Sequence, residues 1–454
     1  MIAPETHAQR RQALAKQVNS PILMMGNGER PRNLPMSCVP FRQDSSFLYF
    51  TGCTHPGAAL LIVDGTSVLY LPEPADDDAL WHGASHTIEE MGAKLGFSTV
   101  RPNRCLEADT KELSGVATVA VPDLAQNIRA STLTGTALSF GTENGDDHLI
   151  DAIIGFRRRL CEQELDEMRA TAVVTEAAHR AAMAATEPGV HEQIIAATFQ
   201  DVVVRHGLSL AYPSIVTVRG EVLHNFNYVN TAKAGQLLLL DGGAEAKSGY
   251  ATDVTRTWPV SGQFEARQLA AYEAVLASQL SGIEQVRPGT RYRDVHMQSS
   301  LVIAQFLADE GLIKCSPEVA VESGAHALFF PHGVGHLIGL DVHDLENFGD
   351  RASYPPGRSR SSQFGTGYLR LDLDLEEGMV VTVEPGFYVV PAILEDPSLR
   401  SEFADLIDFE KAADWTGFGG IRIEDDVAVT SDAPEVITGS IPKAVDELLQ
   451  AVAG

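Results

Sequence analysis

Four acidic residues sit in runs that should belong to a hydrophobic core. Asp241 ends QLLLLD, Asp253 lies in YATDVTRTW, Glu384 follows VVTV, and Glu424 falls inside GIRIEDDVAV. Each run is strand-sized and β-branched or otherwise apolar, so a fold that buries the runs carries the carboxylates inward. Burying an ionised carboxylate costs several kcal/mol unless a cation offsets it. Taken singly, Asp241 reads as a turn residue before Gly242-Gly243, and Glu384 and Glu424 read as buried partners of Arg422. Four such acids in one part of the chain favour a shared cation, and two divalent metals would balance them. An oxygen-rich set with one imidazole suits Mn²⁺ better than a thiolate zinc site. Two metals about 3.5–4 Å apart can activate a water and stabilise both ends of a displacement, which implies metal-assisted hydrolysis.

The histidines of FFPHGVGHLIGLDVHD are the natural companions: His332, His336 and His343. His332 and His336 have the i, i+4 spacing of a helical H-E-x-x-H zinc site, but Gly-Val-Gly between them supplies no Glu and disfavours a helix. In an extended segment the two rings stand roughly 13 Å apart, at about 3.3 Å per residue, and do not share an ion. One histidine is therefore expected as a ligand and the others as substrate or transition-state donors. Other chemistry is missing: there is no G-x-S-x-G elbow, no Walker A and no G-x-G-x-x-G after a strand. GGAEAKSG reads as a hairpin turn.

At 454 residues the chain has room for two domains. A net charge of −27 repels nucleic acid and anionic membranes, so neither is expected as a partner. Five scattered cysteines without a C-x-x-C argue against a disulfide framework and fit a reducing cytoplasm. The N-terminus has no apolar h-region, and the apolar runs are too short to span a bilayer.

The first third alternates strand-like runs (AALLIVDG, SVLYLPEP, VATVAVP, TALSFG) with a helix-rich stretch, the pattern of a small α/β domain. Past the basic cluster Arg157 to Arg159, helical periodicity begins near Cys161, with Leu165, Met168 and Ala172 on one face. A boundary near 160 follows, giving domains 1–160 and 161–454. The second domain reads as two helices, then strands, twice over. One helix of the second pair places Leu269, Tyr272, Leu276 and Leu280 on its apolar face. The fold class is α+β with a duplicated half.

The segments DGGAEAKSGYATDVTRTWPVSGQF, PHGVGHLIGLDVHD, VVTVEPGFYVV and GGIRIEDDVAVT resemble the ordered signature of the M24 metallopeptidases, most closely the aminopeptidase P and prolidase branch. VPFRQDSSFLYFTGCTHPGAAL resembles that branch's N-terminal domain, so the likeness spans nearly the whole chain. The resemblance implies a creatinase-like N-terminal domain and a pita-bread catalytic domain. It implies Asp241 on one metal, His336 and Glu384 on the other, and Asp253 and Glu424 bridging. His224, His332 and His343 match substrate-side histidines, and Arg422 matches a supporting arginine. A hydroxide shared by two divalent ions, Mn²⁺ before Zn²⁺, Co²⁺ or Fe²⁺, would attack the carbonyl before proline while Glu384 moves the proton. The implied substrates are peptides with proline second, and the implied state is a homo-oligomer, dimer or tetramer.

Asp241 and Asp253 stand twelve residues apart, against eleven in the family, which places an insertion in the turn at Ala246 to Gly249. The segment from Leu345 to Glu377, and the later stretch starting PAILEDPSLR, resemble prolidase, which takes dipeptides. FRQDSSFLYFTG resembles aminopeptidase P, which accepts longer peptides, and that reading is preferred. The rivals are prolidase, a creatinase-type hydrolase, a sulfonium lyase, and a metal-free peptide- or histone-binding module. The complete ligand set counts against the last.

Overall fold

The apolar runs become short strands in a computed structural model that describes residues 2–74, 77–83 and 86–454. Two compact units form: Met1–Arg158 with Leu345–Ala352, and Arg159–Asp344 with Ser353–Gly454. The return of residues 345–352 to the first unit has no counterpart in the sequence reading. Leu345, Phe348 and Ala352 of this segment are buried, and polar contacts add to them: Arg351 pairs with Asp147 and Asp151, and Asn144 Nδ2 donates to Asn347 O at 3.0 Å.

The first unit is a five-stranded sheet with helices. Its strands are β1 (Ile22–Met25), β2 (Ala59–Val63), β3 (Thr66–Leu71), β4 (Val100–Pro102) and β5 (Ala117–Thr118), in the order β4-β3-β2-β1-β5. β1 to β3 pair antiparallel, while β4 and β5 add parallel edges. TALSFG forms no strand; Ser139 makes only an isolated bridge to Glu143.

The second unit repeats one design. Helices Glu162–Ala184 and Glu192–Arg205 precede β6 (Ser209–Leu210), β7 (Ile215–Thr217), β8 (Leu237–Asp241), β9 (Ala244–Glu245) and β10 (Thr255–Pro259). Helices Ala266–Glu284 and Tyr292–Asp309 precede β11 (Val380–Val383), β12 (Gly386–Tyr388), β13 (Gly420–Arg422), β14 (Asp425–Ala428) and β15 (Glu435–Val436). The sheets are β10-β8-β7 and β11-β14-β15, with the pairs β12-β13 and β6-β9. In the second helix pair, Ser278 Oγ donates to Ser299 O at 2.8 Å and Ser299 Oγ donates back to Ser278 O at 3.2 Å. Gly282 permits this approach, since a Cβ there would meet Ser299 Oγ at 2.5 Å.

The face of helix Ala266–Glu284 differs from the periodicity reading. Tyr272, Val275, Gln279 and Ile283 are buried, while Leu280 is 45% exposed. Polar Gln279 takes an inner position because its amide donates to buried Asp425 at 2.7 Å.

Candidate metal centre

Strand register brings the acids together. β11 and β14 set Val383 opposite Asp425, and β12 and β13 set Gly386 opposite Arg422. The register is the same on both sides of the gap, so Glu384 and Glu424 face each other across it. Like charges directly opposite are destabilising in a sheet, and here both sit in a gap between strands that are buried.

His336 joins them from an extended segment, not a helix. Thr382 N donates to His336 O at 3.0 Å, Glu384 N to Val334 O at 2.8 Å, and Ile338 N to Val380 O at 3.1 Å. Residues 334–338 thus run along β11, with His336 opposite Thr382 and diagonal to Glu384, on the same face. His336 Nδ1–H donates to Leu337 O at 2.9 Å, which leaves Nε2 as the coordinating atom. That nitrogen lies 3.5 Å from Asp253 Oδ2 and 3.8 Å from Glu384 Oε1.

Asp241 and Asp253 arrive on the other side through the β8–β10 hairpin. Asp241 pairs with Thr255, and the hairpin tip closes with Ala246 N on Tyr250 O and Gly249 N on Ala246 O. Gly243 is required there, because a Cβ would strike Thr252 O at 1.7 Å. Tyr212 Oη donates to Asp241 Oδ1 at 2.6 Å and also to Asp253 Oδ1, joining both carboxylates.

Donor atoms fall within 4.8 Å of one another in three sets: Asp241, Asp253 and Glu424; His336, Glu384 and Glu424; and Asp253, His336 and His343. Glu424 belongs to two sets, and Asp253 reaches both Asp241 and His336. The third set was not anticipated. The His343 ring stacks on His336 with centroids 4.0 Å apart, so one of its nitrogens comes near the same donors.

The electrostatics show what the site can receive. Burial pushes the Glu424 carboxyl well above its usual range, reinforced by Asp253, Glu384 and Asp241. Burial likewise raises Glu384 to about 7, against the pull of His336 and Arg422. Burial alone would lower His336, but the Asp253 and Glu384 carboxylates outweigh it and leave the imidazole at about 9. Arg422 is committed elsewhere: Nη2 to Asp241 Oδ2 at 2.5 Å, Nε to Thr255 Oγ1 at 3.0 Å, and Nη1 to Tyr388 Oη at 3.0 Å. It balances one carboxylate of four. Oxygen donors at this spacing with one oriented imidazole fit divalent metal ions.

Of the remaining histidines, His332 is held neutral by burial, with Arg422 adding to the effect, at about 3. Its Nδ1–H donates to Gly333 O at 2.8 Å, so Nε2 accepts from Tyr388 Oη at 2.9 Å. His224 stacks on Phe226 at 6.3 Å, and burial lowers its pKa. All five proposed ligands, Arg422, His224, His332 and His343 line one cavity of about 570 Å³. Arg360, Phe364, Tyr368 and Arg370 form another part of its wall.

The sequence reading missed Tyr212 and Tyr388. Tyr388 follows Glu384 by four residues in VEPGFY, an even spacing that could have placed it on the same face. Tyr212 carried no such signal.

Residues 166–431 match the model of metallopeptidase family M24, and residues 7–120 match the aminopeptidase P N-terminal domain. A human Xaa-Pro dipeptidase is 30% identical over 460 residues, covering 97% of this chain and 90% of its own. A probable Xaa-Pro aminopeptidase of Fusarium vanettenii is 33% identical over 421 residues, covering 90% of this chain and 87% of its own. Among solved structures, the aminopeptidase PepP of Pseudomonas aeruginosa has a TM-score of 0.82 at 28% identity, covering 100% of this chain and 98% of its own. Escherichia coli aminopeptidase P with the inhibitor Pro-Leu has a TM-score of 0.80 at 26% identity, covering 99% and 98%.

Proposed function

Because the chain belongs to metallopeptidase family M24, we propose that it is a Xaa-Pro aminopeptidase, a metal-dependent exopeptidase that hydrolyses the bond before a proline in second position. The observation that carries this reading is the convergence of Asp241, Asp253, His336, Glu384 and Glu424 on one cavity, with Glu384 facing Glu424 across a break in strand pairing. These five are the proposed ligands and would hold two divalent ions, with Asp253 and Glu424 as the carboxylates each common to two donor groups. Manganese is the proposed metal, on the strength of the oxygen-rich donors. Such ions, when bound, polarise the scissile carbonyl and make water nucleophilic near neutral pH.

The chain's own groups do the rest. Asp253 and its neighbours give the cavity the negative character that receives a free α-amino group, which accounts for exopeptidase action. Glu384 takes a proton from the attacking water and delivers it to the proline nitrogen as the C–N bond breaks. His224 and His343 line the cavity as donors to substrate and to the developing oxyanion. Arg422 orients Tyr388, which in turn sets His332 at the cavity wall.

A dipeptidase reading has one observation in its favour: Arg360 and Arg370 lie on the wall of the same cavity. A dipeptide presents its C-terminal carboxylate directly after proline, where guanidinium groups pair well with it. The deciding experiment compares Xaa-Pro dipeptides with Xaa-Pro-Yaa peptides in Mn²⁺, with Glu384→Gln as control. Cleavage of the longer peptides is expected; cleavage confined to dipeptides would reassign the enzyme as a prolidase. No Mn²⁺-stimulated cleavage of either would remove the peptidase reading.

The division into 1–160 and 161–454 remains our proposal for domain limits, with 345–352 grouped spatially with the first. A cytoplasmic location is proposed from the free cysteines. No described helix is long and apolar enough to cross a membrane. The homo-oligomeric state, dimer or tetramer, is proposed from family likeness alone.

A further inference from the structure

The bridging role proposed for Glu424 makes a demand on its backbone that the sheets do not meet. β13 ends at Arg422 and β14 begins at Asp425, so Ile423 and Glu424 lie between two pairings. A peptide group at this depth must find other partners. Glu424 N donates to Thr255 O at 3.0 Å, and Glu424 O accepts from Arg256 Nη1 at 2.6 Å. The Arg256 side chain is fully buried, and its guanidinium has further commitments. Nε donates to Pro442 O at 3.0 Å, Nη1 also to Thr255 O at 3.0 Å, and Nη2 to Ile441 O at 3.0 Å and Asp425 Oδ1 at 2.7 Å. Asp425 accepts as well from Lys443 Nζ at 2.6 Å, Gln279 Nε2 at 2.7 Å and Thr438 Oγ1 at 2.8 Å.

One guanidinium therefore ties the carbonyl of the proposed bridging ligand to the segment 441–442 near the end of the chain. Next to it on β10, Thr255 Oγ1 donates to Glu424 Oε2 at 2.6 Å, so residues 255 and 256 hold the ligand's side chain and backbone respectively. We infer that Arg256 is a positioning residue for the metal centre, which aims Glu424 by holding its peptide and couples the segment 437–443 to metal occupancy. The inference rests on Glu424 being a ligand. Coupling of this kind is reciprocal: if the segment orders Glu424 for the metal, the metal orders the segment.

Lysine at this position can keep a charge for Asp425 but cannot reach the Glu424, Ile441 and Pro442 carbonyls together. Two quantities are measured on metal-free protein titrated with Mn²⁺: affinity by calorimetry, and amide exchange of peptides spanning 437–443. In the unsubstituted protein, Mn²⁺ should slow exchange in that segment. Arg256→Lys should raise the Kd for Mn²⁺ about 10–100-fold, the usual cost of losing a group that orients a ligand. It should also abolish the Mn²⁺-dependent protection while the metal-free melting curve stays cooperative. A lowered melting temperature with unchanged Mn²⁺ affinity would overturn the inference and leave Arg256 a structural residue only. If Arg256→Lys does not fold, Lys443→Met at the edge of the cluster gives the same reading: weaker Mn²⁺ binding supports it, unchanged binding overturns it. Failure of Glu424→Gln to weaken Mn²⁺ binding overturns the ligand reading itself, an outcome distinct from the others.

Discussion

Glu424 and Asp425 are neighbours in sequence, both nearly or fully buried, and they live in opposite electrostatic worlds. Asp425 points to the back of the strand, where Arg256 and Lys443 overcome its burial and pull its carboxyl down to about 2. Glu424 points to the front, where burial and three other carboxylates drive it well above the ordinary range. The back cluster is complete as protein chemistry: each charge has an opposite within hydrogen-bond reach. The front cluster has one guanidinium and one imidazole, raised to about 9 by Asp253 and Glu384, for four acids. A buried cluster that the fold neutralises with its own cations needs nothing further, whereas one left in charge deficit is built to receive a cation.

The comparison can be broken most directly by neutralising each member in turn. Glu424→Gln should lower kcat/KM on a Xaa-Pro peptide by about a thousandfold or more, several kcal/mol of transition-state stabilisation. The metal-free fold should tolerate it, since the amide replaces a carboxyl whose ionisation burial and its acidic neighbours already oppose. Asp425→Asn should do the reverse. Taking one partner from a buried ion cluster costs about 3–5 kcal/mol of stability, with or without Mn²⁺. Denaturant midpoints in chelator and in Mn²⁺ distinguish the two patterns, and a Glu424→Gln variant that unfolds like Asp425→Asn would erase the contrast. Smaller again is metal withdrawal: at Mn²⁺ a hundredfold above Kd, chelation should remove about 2.7 kcal/mol. That loss should be absent from Glu424→Gln and retained by a surface variant.

The front cluster was legible in the sequence because its acids interrupt apolar runs, which almost nothing but function or an ion pair explains. The two-helix, then strands repeat was legible for the same reason, periodicity. The back cluster was not. Arg256 and Asp425 sit in the same runs, but their partners Gln279 and Lys443 come from segments with no distinguishing pattern. Gln279 even misdirected the helix reading, since a buried amide shifts the inner face away from Leu280. The His343 ring on His336 was hidden too, because a turn between residues 338 and 343 decides it and no local spacing encodes that turn. The return of residues 345–352 to the first unit combines ion pairs with three buried apolar residues, Leu345, Phe348 and Ala352, too scattered among polar neighbours to read as a strand or a helix face.

The smallest expected effect tests the sign of the difference between the clusters. Glu384 is raised from an ordinary 4.5 to about 7 in the metal-free fold. A raised group lends stability that is fully present below its unfolded pKa and lost as pH climbs through the folded one, here between about 4.5 and 7. Asp425 is depressed from 3.8 to about 2, so its contribution is present above 3.8 and lost as pH falls through 2. Buried histidines such as His179 and His296, lowered by burial to about 3, add an acid-side loss of their own. The Glu384 contribution is isolated by difference. In chelator, Glu384→Gln should gain stability relative to the unsubstituted protein as pH rises from 4.5 to 7.5, by on the order of 1 kcal/mol. In Mn²⁺ the order should invert at pH 7.5, because the glutamine has lost a ligand. Thermal melts at stepped pH read both, and a pH-independent difference in chelator would mean that the fold already neutralises Glu384 and that the front is no more in deficit than the back.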